Sequence, residues 1–184
     1  INTCAACLAK HKAQPTVGIS VASAMRFAVM AWDHYILDAD LAAVCEFPAI
    51  LTATDISTGA VVFSEVKDLT SRTSARAIIT EWIPRYGIPI LLMGDGANNL
   101  NSNMLRAVWD MLGVQGAEWS ASNSKTHQPL VERCHQAVDN TLDAAFNKGD
   151  IGNKADARTY IKIEETKLTQ LADTDGITPF ERCY

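Results

Sequence analysis

The sequence predicts an α/β domain built on a mixed sheet flanked by helices. Three observations predict it. Runs rich in β-formers come first and are close enough to pair as a meander. Apolar stripes at helical spacing then alternate with short extended runs. One of those runs, Ile90-Leu91-Leu92-Met93, is uniformly apolar, as expected of a strand buried on both faces.

The elements follow in order. Residues 1–26, rich in Ala, Ser, Thr and Gly, read as irregular. Phe27–Leu37 reads as a strand that ends near an Asp38-Ala39-Asp40 turn. Pro48–Asp55 and Ala60–Val66 are β-rich, and the turn signal Ser57-Thr58-Gly59 between them makes a hairpin. Thr70 or Ser71 caps a helix with the stripe Ala75, Ile78, Ile79 and Trp82, which Tyr86-Gly87-Ile88-Pro89 ends. The buried strand Ile90–Met93 leads directly to Asp95. Met104, Leu105, Val108, Met111 and Leu112 form the next helical stripe, with Gly113 placed as its C-cap.

Val114–Ala121 reads as a further strand, and the polar stretch Ser122–Pro129 as a loop. Val131, Cys134, Val138, Leu142 and Phe146 mark a long helix. Glu132 lies beside that stripe on a flank shared with Gln136, Asp139 and Asp143. A Lys148–Asn153 loop precedes a last helix with Ala157, Ile161, Leu168 and Leu171 facing inward. Asp175-Gly176 turns the chain into Thr178-Pro179-Phe180. The four tryptophans, Trp32, Trp82, Trp109 and Trp119, are most simply core.

Composition bounds the function. A chain of 184 residues is one domain of ordinary size, and 48% hydrophobic content is ample for a core. No apolar run approaches the roughly 18 residues of a membrane span. No basic region followed by an apolar one marks a signal peptide, and a start at Ile1 suggests a piece of something longer. Five scattered cysteines argue for a reducing compartment rather than a disulfide framework. The net charge of -5 argues against a protein that coats DNA, although residues 1–30 carry Lys10, Lys12 and Arg26 and no carboxylate.

Three carboxylates far apart in the chain point to chemistry. They are Asp33 in Ala31-Trp32-Asp33-His34, Asp95 in Met93-Gly94-Asp95-Gly96, and Glu132 in Leu130-Val131-Glu132-Arg133. A lone Asp at a strand end is ordinarily a turn or cap residue. Asp33 lies within the first strand, Asp95 at the tip of the buried one and Glu132 in the first turn of the long helix. Neighbouring strands lie about 4.8 Å apart, so the two Asp side chains can share an ion if those strands are adjacent. Like charges at such distances disfavour ionisation unless cations neutralise them. A pair of Mg²⁺ ions does so, and is also apparatus for cutting and joining phosphodiesters. Asp55, nearly as well placed in the sheet, is read as structural.

These residues resemble a known family. Tyr86-Gly87-Ile88-Pro89, then Asp95-Gly96, then Val131-Glu132-Arg133 look like the catalytic core of retroviral and LTR-retrotransposon integrases. Ala53-Thr54-Asp55-Ile56-Ser57 resembles the strand-two signature of that family, and Thr178-Pro179-Phe180-Glu181 the motif that closes many retrotransposon cores. Cys4-Ala5-Ala6-Cys7 with Lys10 looks like the second half of an amino-terminal His-His-Cys-Cys zinc module.

The resemblance implies a ribonuclease-H-like fold with a five-stranded mixed sheet. Residues 1–26 would be a remnant of the zinc module plus a linker, and residues 27–184 the core. Asp33, Asp95 and Glu132 would be catalytic and would hold two Mg²⁺ or Mn²⁺ ions. Cys4 and Cys7 would bind Zn²⁺ only with an upstream His pair in a full-length module. The activity implied is 3′-end processing and strand transfer of element DNA into target DNA. The partners implied are DNA and further copies of the chain, in a nucleus or virus-like particle.

DNA contacts are assigned to Lys125, His127, Arg133, His135 and Gln136; for the two histidines an ordinary surface or core role is the alternative. The chain departs from the family in the Ser124–Leu130 loop, in His135 and in Asp139, where a basic residue often meets DNA. A catalytically silent core acting as a DNA-tethering or assembly module, or a hydrolytic nuclease of the same fold, are the competing readings.

Overall fold

A computed structural model describes residues 25–95, 102–120, 128–170 and 176–183; for 95, 117–120, 128, 129 and 183 it describes the backbone alone. Strand β1 (Val29–Ile36) is followed by helix α1 (Ala39–Cys45) and the hairpin β2 (Ala49–Asp55) and β3 (Val61–Val66). Next come α2 (Ser71–Ala77), a π-helical segment (Ile78–Trp82) and α3 (Ile83–Tyr86). Strand β4 (Leu91–Asp95), α4 (Asn103–Leu112), β5 (Gly116–Ser120), α5 (Gln128–Lys148), α6 (Lys154–Gln170) and α7 (Pro179–Cys183) complete the order.

The strands hydrogen-bond in the order β3-β2-β1-β4-β5. β1 pairs antiparallel with β2 and parallel with β4; β2–β3 is antiparallel and β4–β5 parallel. The early runs therefore form the meander that the sequence predicts, and the later ones join by helical crossovers. Alternation along each strand sends side chains to opposite faces. Met30 and Trp32 of β1 enter one core with Leu51, Ile78, Trp82, Leu105 and Trp109. Tyr35 of β1 packs on the other, with Ile50, Phe63, Cys134, Val138, Leu142 and Ile161. The sheet is thus covered by α2–α4 on one side and by α1, α5 and α6 on the other.

Local signals explain most boundaries. The Thr70 side chain accepts from Thr73 N and caps α2. Gly113 takes φ +80 at the end of α4, a left-handed C-cap that glycine adopts without a Cβ penalty. Thr178 and Glu181 form a reciprocal capping box on α7. Thr178 N donates to Glu181 Oε2 at 2.8 Å, and Glu181 N to Thr178 Oγ1 at 3.0 Å.

The structure corrects several expectations. The 38–40 turn is the start of α1, with Asp38 as N-cap and Leu41 and Cys45 buried one turn apart. Ile79 is exposed, because the buried face of its helix takes in Ser74 and Ala77 and so is centred on the other flank. Met104 and Met111 are exposed, Met111 by 87%, because Trp109, missing from the predicted stripe, turns the helix inward along Leu105 and Trp109. Helix α5 already includes Gln128, so Pro129 is helical and Glu132 lies in the second turn rather than the first. Trp32, Trp82 and Trp109 are core as expected; the side chains of Trp119 and the whole of Leu171 lie outside the described residues.

Candidate metal centre

The geometry starts from two strands. Val29, Met30, Ala31 and Trp32 are all buried, which locks β1 in the middle of the sheet. Its parallel partner β4 pairs Ala31 with Met93 and Trp32 with Gly94. The next residue on each strand is an aspartate, Asp33 on β1 and Asp95 on β4. Their backbones therefore stand level on adjacent strands, about 4.8 Å apart in the hydrogen-bonding direction. Asp33 is half-buried, and its Oδ1 accepts from the backbone N of His34 at 2.8 Å. The side chain of Asp95 lies outside the described residues.

Helix α5 covers the same end of the sheet. Val131 packs in a small cluster with Val29, Ala31 and Met93. Ala31 and Met93 each precede one of the two aspartates by two positions. Glu132, next to Val131, is exposed, so its side chain is free of the core and has room to swing. Among the described residues no group of three or more His, Cys, Asp or Glu side chains converges to hold a metal. The residue types nevertheless suit a hard divalent cation: two aspartates follow paired positions on adjacent strands, and a glutamate lies on the helix packed against that end of the sheet.

The surroundings were only partly anticipated. Arg133 and Gln136 are exposed on α5, and Gln136 Nε2 donates to Asn140 Oδ1 at 3.2 Å. His135, a candidate DNA contact, is half-buried with its ring 5.5 Å from that of Tyr35. Burial lowers its pKa to about 4, with a smaller contribution from His34. His34 itself points to the other face, where Nε2 meets Ser74 Oγ at 3.0 Å, and burial lowers it to about 4 as well. Asp139 accepts a hydrogen bond from the Tyr35 hydroxyl. Tyr35 was missed in the sequence; the signal was its place two residues after Asp33 on the same strand. Asp55 is structural as expected: it is fully buried, and Oδ2 accepts from Thr58 N at 2.7 Å and Thr58 Oγ1 at 2.8 Å. Cys4, Cys7, Lys125 and His127 lie outside the described residues.

The sheet has the mixed order expected of a ribonuclease-H-like fold, with helices on both faces. The chain has the fold of retroviral integrase catalytic cores. It is similar to the catalytic core domain of BIV integrase, with TM-score 0.66 and 18% identity over 85% of this chain and 93% of that one. It is also similar to the HTLV-2 integrase catalytic core domain in complex with magnesium. The dimeric form of that core gives TM-score 0.68 and 16% identity over 87% of this chain and 98% of that one. The trimeric form gives 0.67 and 17% with the same coverage. No family model and no curated protein sequence matches the chain. No helix among the described residues is long and apolar enough to cross a membrane.

Proposed function

We propose that this chain is the catalytic core of a DNA integrase, a polynucleotidyl transferase that trims element ends and joins them to target DNA. The observation that carries the reading is the β1–β4 register, with Asp33 and Asp95 following Trp32 and Gly94 on adjacent strands. Asp33, Asp95 and Glu132 would hold two Mg²⁺ or Mn²⁺ ions. Bound there, the ions supply Lewis-acid stabilisation and nucleophile activation at a phosphodiester. The adjacent strands β1 and β4 would present the two aspartates, and the exposed Glu132 would join them from α5. Arg133 and Gln136, with Lys125 and His127 from the preceding segment, would contact the DNA backbone and fix its register. The nucleophile comes from water or from a DNA 3′-hydroxyl, so no side chain becomes covalently attached. Assembly into homo-oligomers, and work in a nucleus or virus-like particle, belong to the same reading.

Strand-transfer and disintegration assays with Mg²⁺ or Mn²⁺ test it. The expected result is activity in the wild-type chain and background levels in Asp95→Asn and Glu132→Gln. Activity that survives both substitutions sinks the mechanism. The acidic balance and the altered Ser124–Leu130 loop together favour a second reading, a catalytically silent core that acts by assembly or DNA tethering. Its mark is the absence of Mn²⁺ binding that depends on all three carboxylates. A hydrolytic nuclease of this fold would cleave DNA and never join ends.

A further inference from the structure

Apolar contacts alone do not define where α5 sits along β1. Val138 and Leu142 bury against the sheet, but such packing is non-directional and tolerates small slides. A directional contact joins the two elements. The Tyr35 hydroxyl on β1 donates to the Asp139 carboxylate on α5, and charge-assisted bonds of this kind are the strong ones. The ring of His135, one helical turn before Asp139, lies 5.5 Å from the Tyr35 ring and tilted to it by 42°. Tyr35 is therefore gripped by two α5 residues one turn apart.

Both ends of this grip lie close to the acidic residues. Tyr35 follows Asp33 by two positions, on the same face of β1. Asp139 lies about two turns beyond Glu132 and on nearly the same side of the helix. Fixing Asp139 on Tyr35 thus fixes both the rotation and the axial position of Glu132 over Asp33.

We propose that Tyr35 and Asp139 are positioning residues, whose hydrogen bond sets where Glu132 stands relative to Asp33. This rests on the reading of Asp33, Asp95 and Glu132 as the metal-holding set. It also assigns a role to Asp139, an acidic residue at a place where integrases often carry a basic one.

Calorimetric titration of the chain with Mn²⁺ tests it. Tyr35→Phe and Asp139→Leu each remove one end of the bond and should weaken Mn²⁺ binding about tenfold, the lower range for groups that orient metal ligands. The double variant should lose no more than either single one. Asp139→Asn keeps a carbonyl acceptor for the hydroxyl and should recover most of the affinity. Ile161→Val, which trims the core under α6, should destabilise the fold while leaving Mn²⁺ affinity within about twofold. Unchanged affinity in Tyr35→Phe, or losses that follow thermal stability across all variants, overturns the positioning role. A wild-type chain with no Mn²⁺ binding through the three carboxylates overturns instead the reading on which it rests.

Discussion

His135 shows how burial on α5 alters ordinary side-chain chemistry. Its pKa is about 4 in the folded chain, against 6.5 for the unperturbed imidazole. Between those values the unfolded state binds the extra proton, so stability rises with pH and is lost as pH falls through the window. After a discount for partial exposure, His135 should cost the wild type about 1 kcal/mol between pH 7 and pH 5. Chemical denaturation at the two pH values should show at least that difference, since burial lowers His34 alike, and His135→Gln should abolish the His135 share. Asp55 is the opposite case. Burial raises its carboxyl, while the bonds from Thr58 pull it back down. Asp55→Ala should cost about 2–3 kcal/mol by leaving Thr58 N and Oγ1 without their buried acceptor. At this scale the sequence made Asp33, Asp95 and Asp55 visible through their strand contexts. It did not make the Tyr35–Asp139 bond visible, because that pairing needs the helix laid across the strand.

Elements with strong local signals were legible, and those that depend on packing were not. The caps at Thr70 and Gly113 and the hairpin at Ser57-Thr58-Gly59 need only neighbouring residues. Gly113→Ala should cost about 1 kcal/mol, measured as a lowered melting midpoint, because alanine pays for the left-handed φ although open space surrounds its Cβ. Helix α1 is too short to show a period, and the tilt of α4 is set by Trp109 against Trp32, whose rings meet edge-on at 5.7 Å. The edge strand β3 depends on partners remote in sequence. Phe63 N donates to Glu165 Oε2 at 2.8 Å, and Lys162 Nζ donates to Phe63 O at 3.0 Å and to Glu165 Oε2 at 2.8 Å. Arg85 Nη1 donates to Glu165 Oε1 at 2.6 Å. This clamp occupies edge groups that would otherwise invite another strand. Glu165→Ala should lose about 1–2 kcal/mol, since it leaves the Phe63 N–H without its acceptor, while Arg85 keeps Glu81 and Lys162 keeps Phe63 O. Light scattering should also detect larger assemblies than the wild type forms.

The whole molecule brings together what the chain keeps far apart. Two cores lock the sheet from both sides, and β1 lies between β2 and β4 with residues in each core. Asp33 comes from that central strand, Asp95 from its parallel neighbour and Glu132 from the helix that crosses them. The order of motifs made this fold legible although the BIV and HTLV-2 cores share only 16–18% identity with the chain. The placement of Glu132 was less legible, because Gln128 and Pro129 are helical although they lie ahead of the apolar stripe that begins at Val131. A crystal of this chain soaked in Mn²⁺, with anomalous density collected, tests the convergence of the three carboxylates most directly. One or two ions held between Asp33, Asp95 and Glu132 is the expected result. Ions bound elsewhere, with Glu132 turned away from the aspartates, would contradict it.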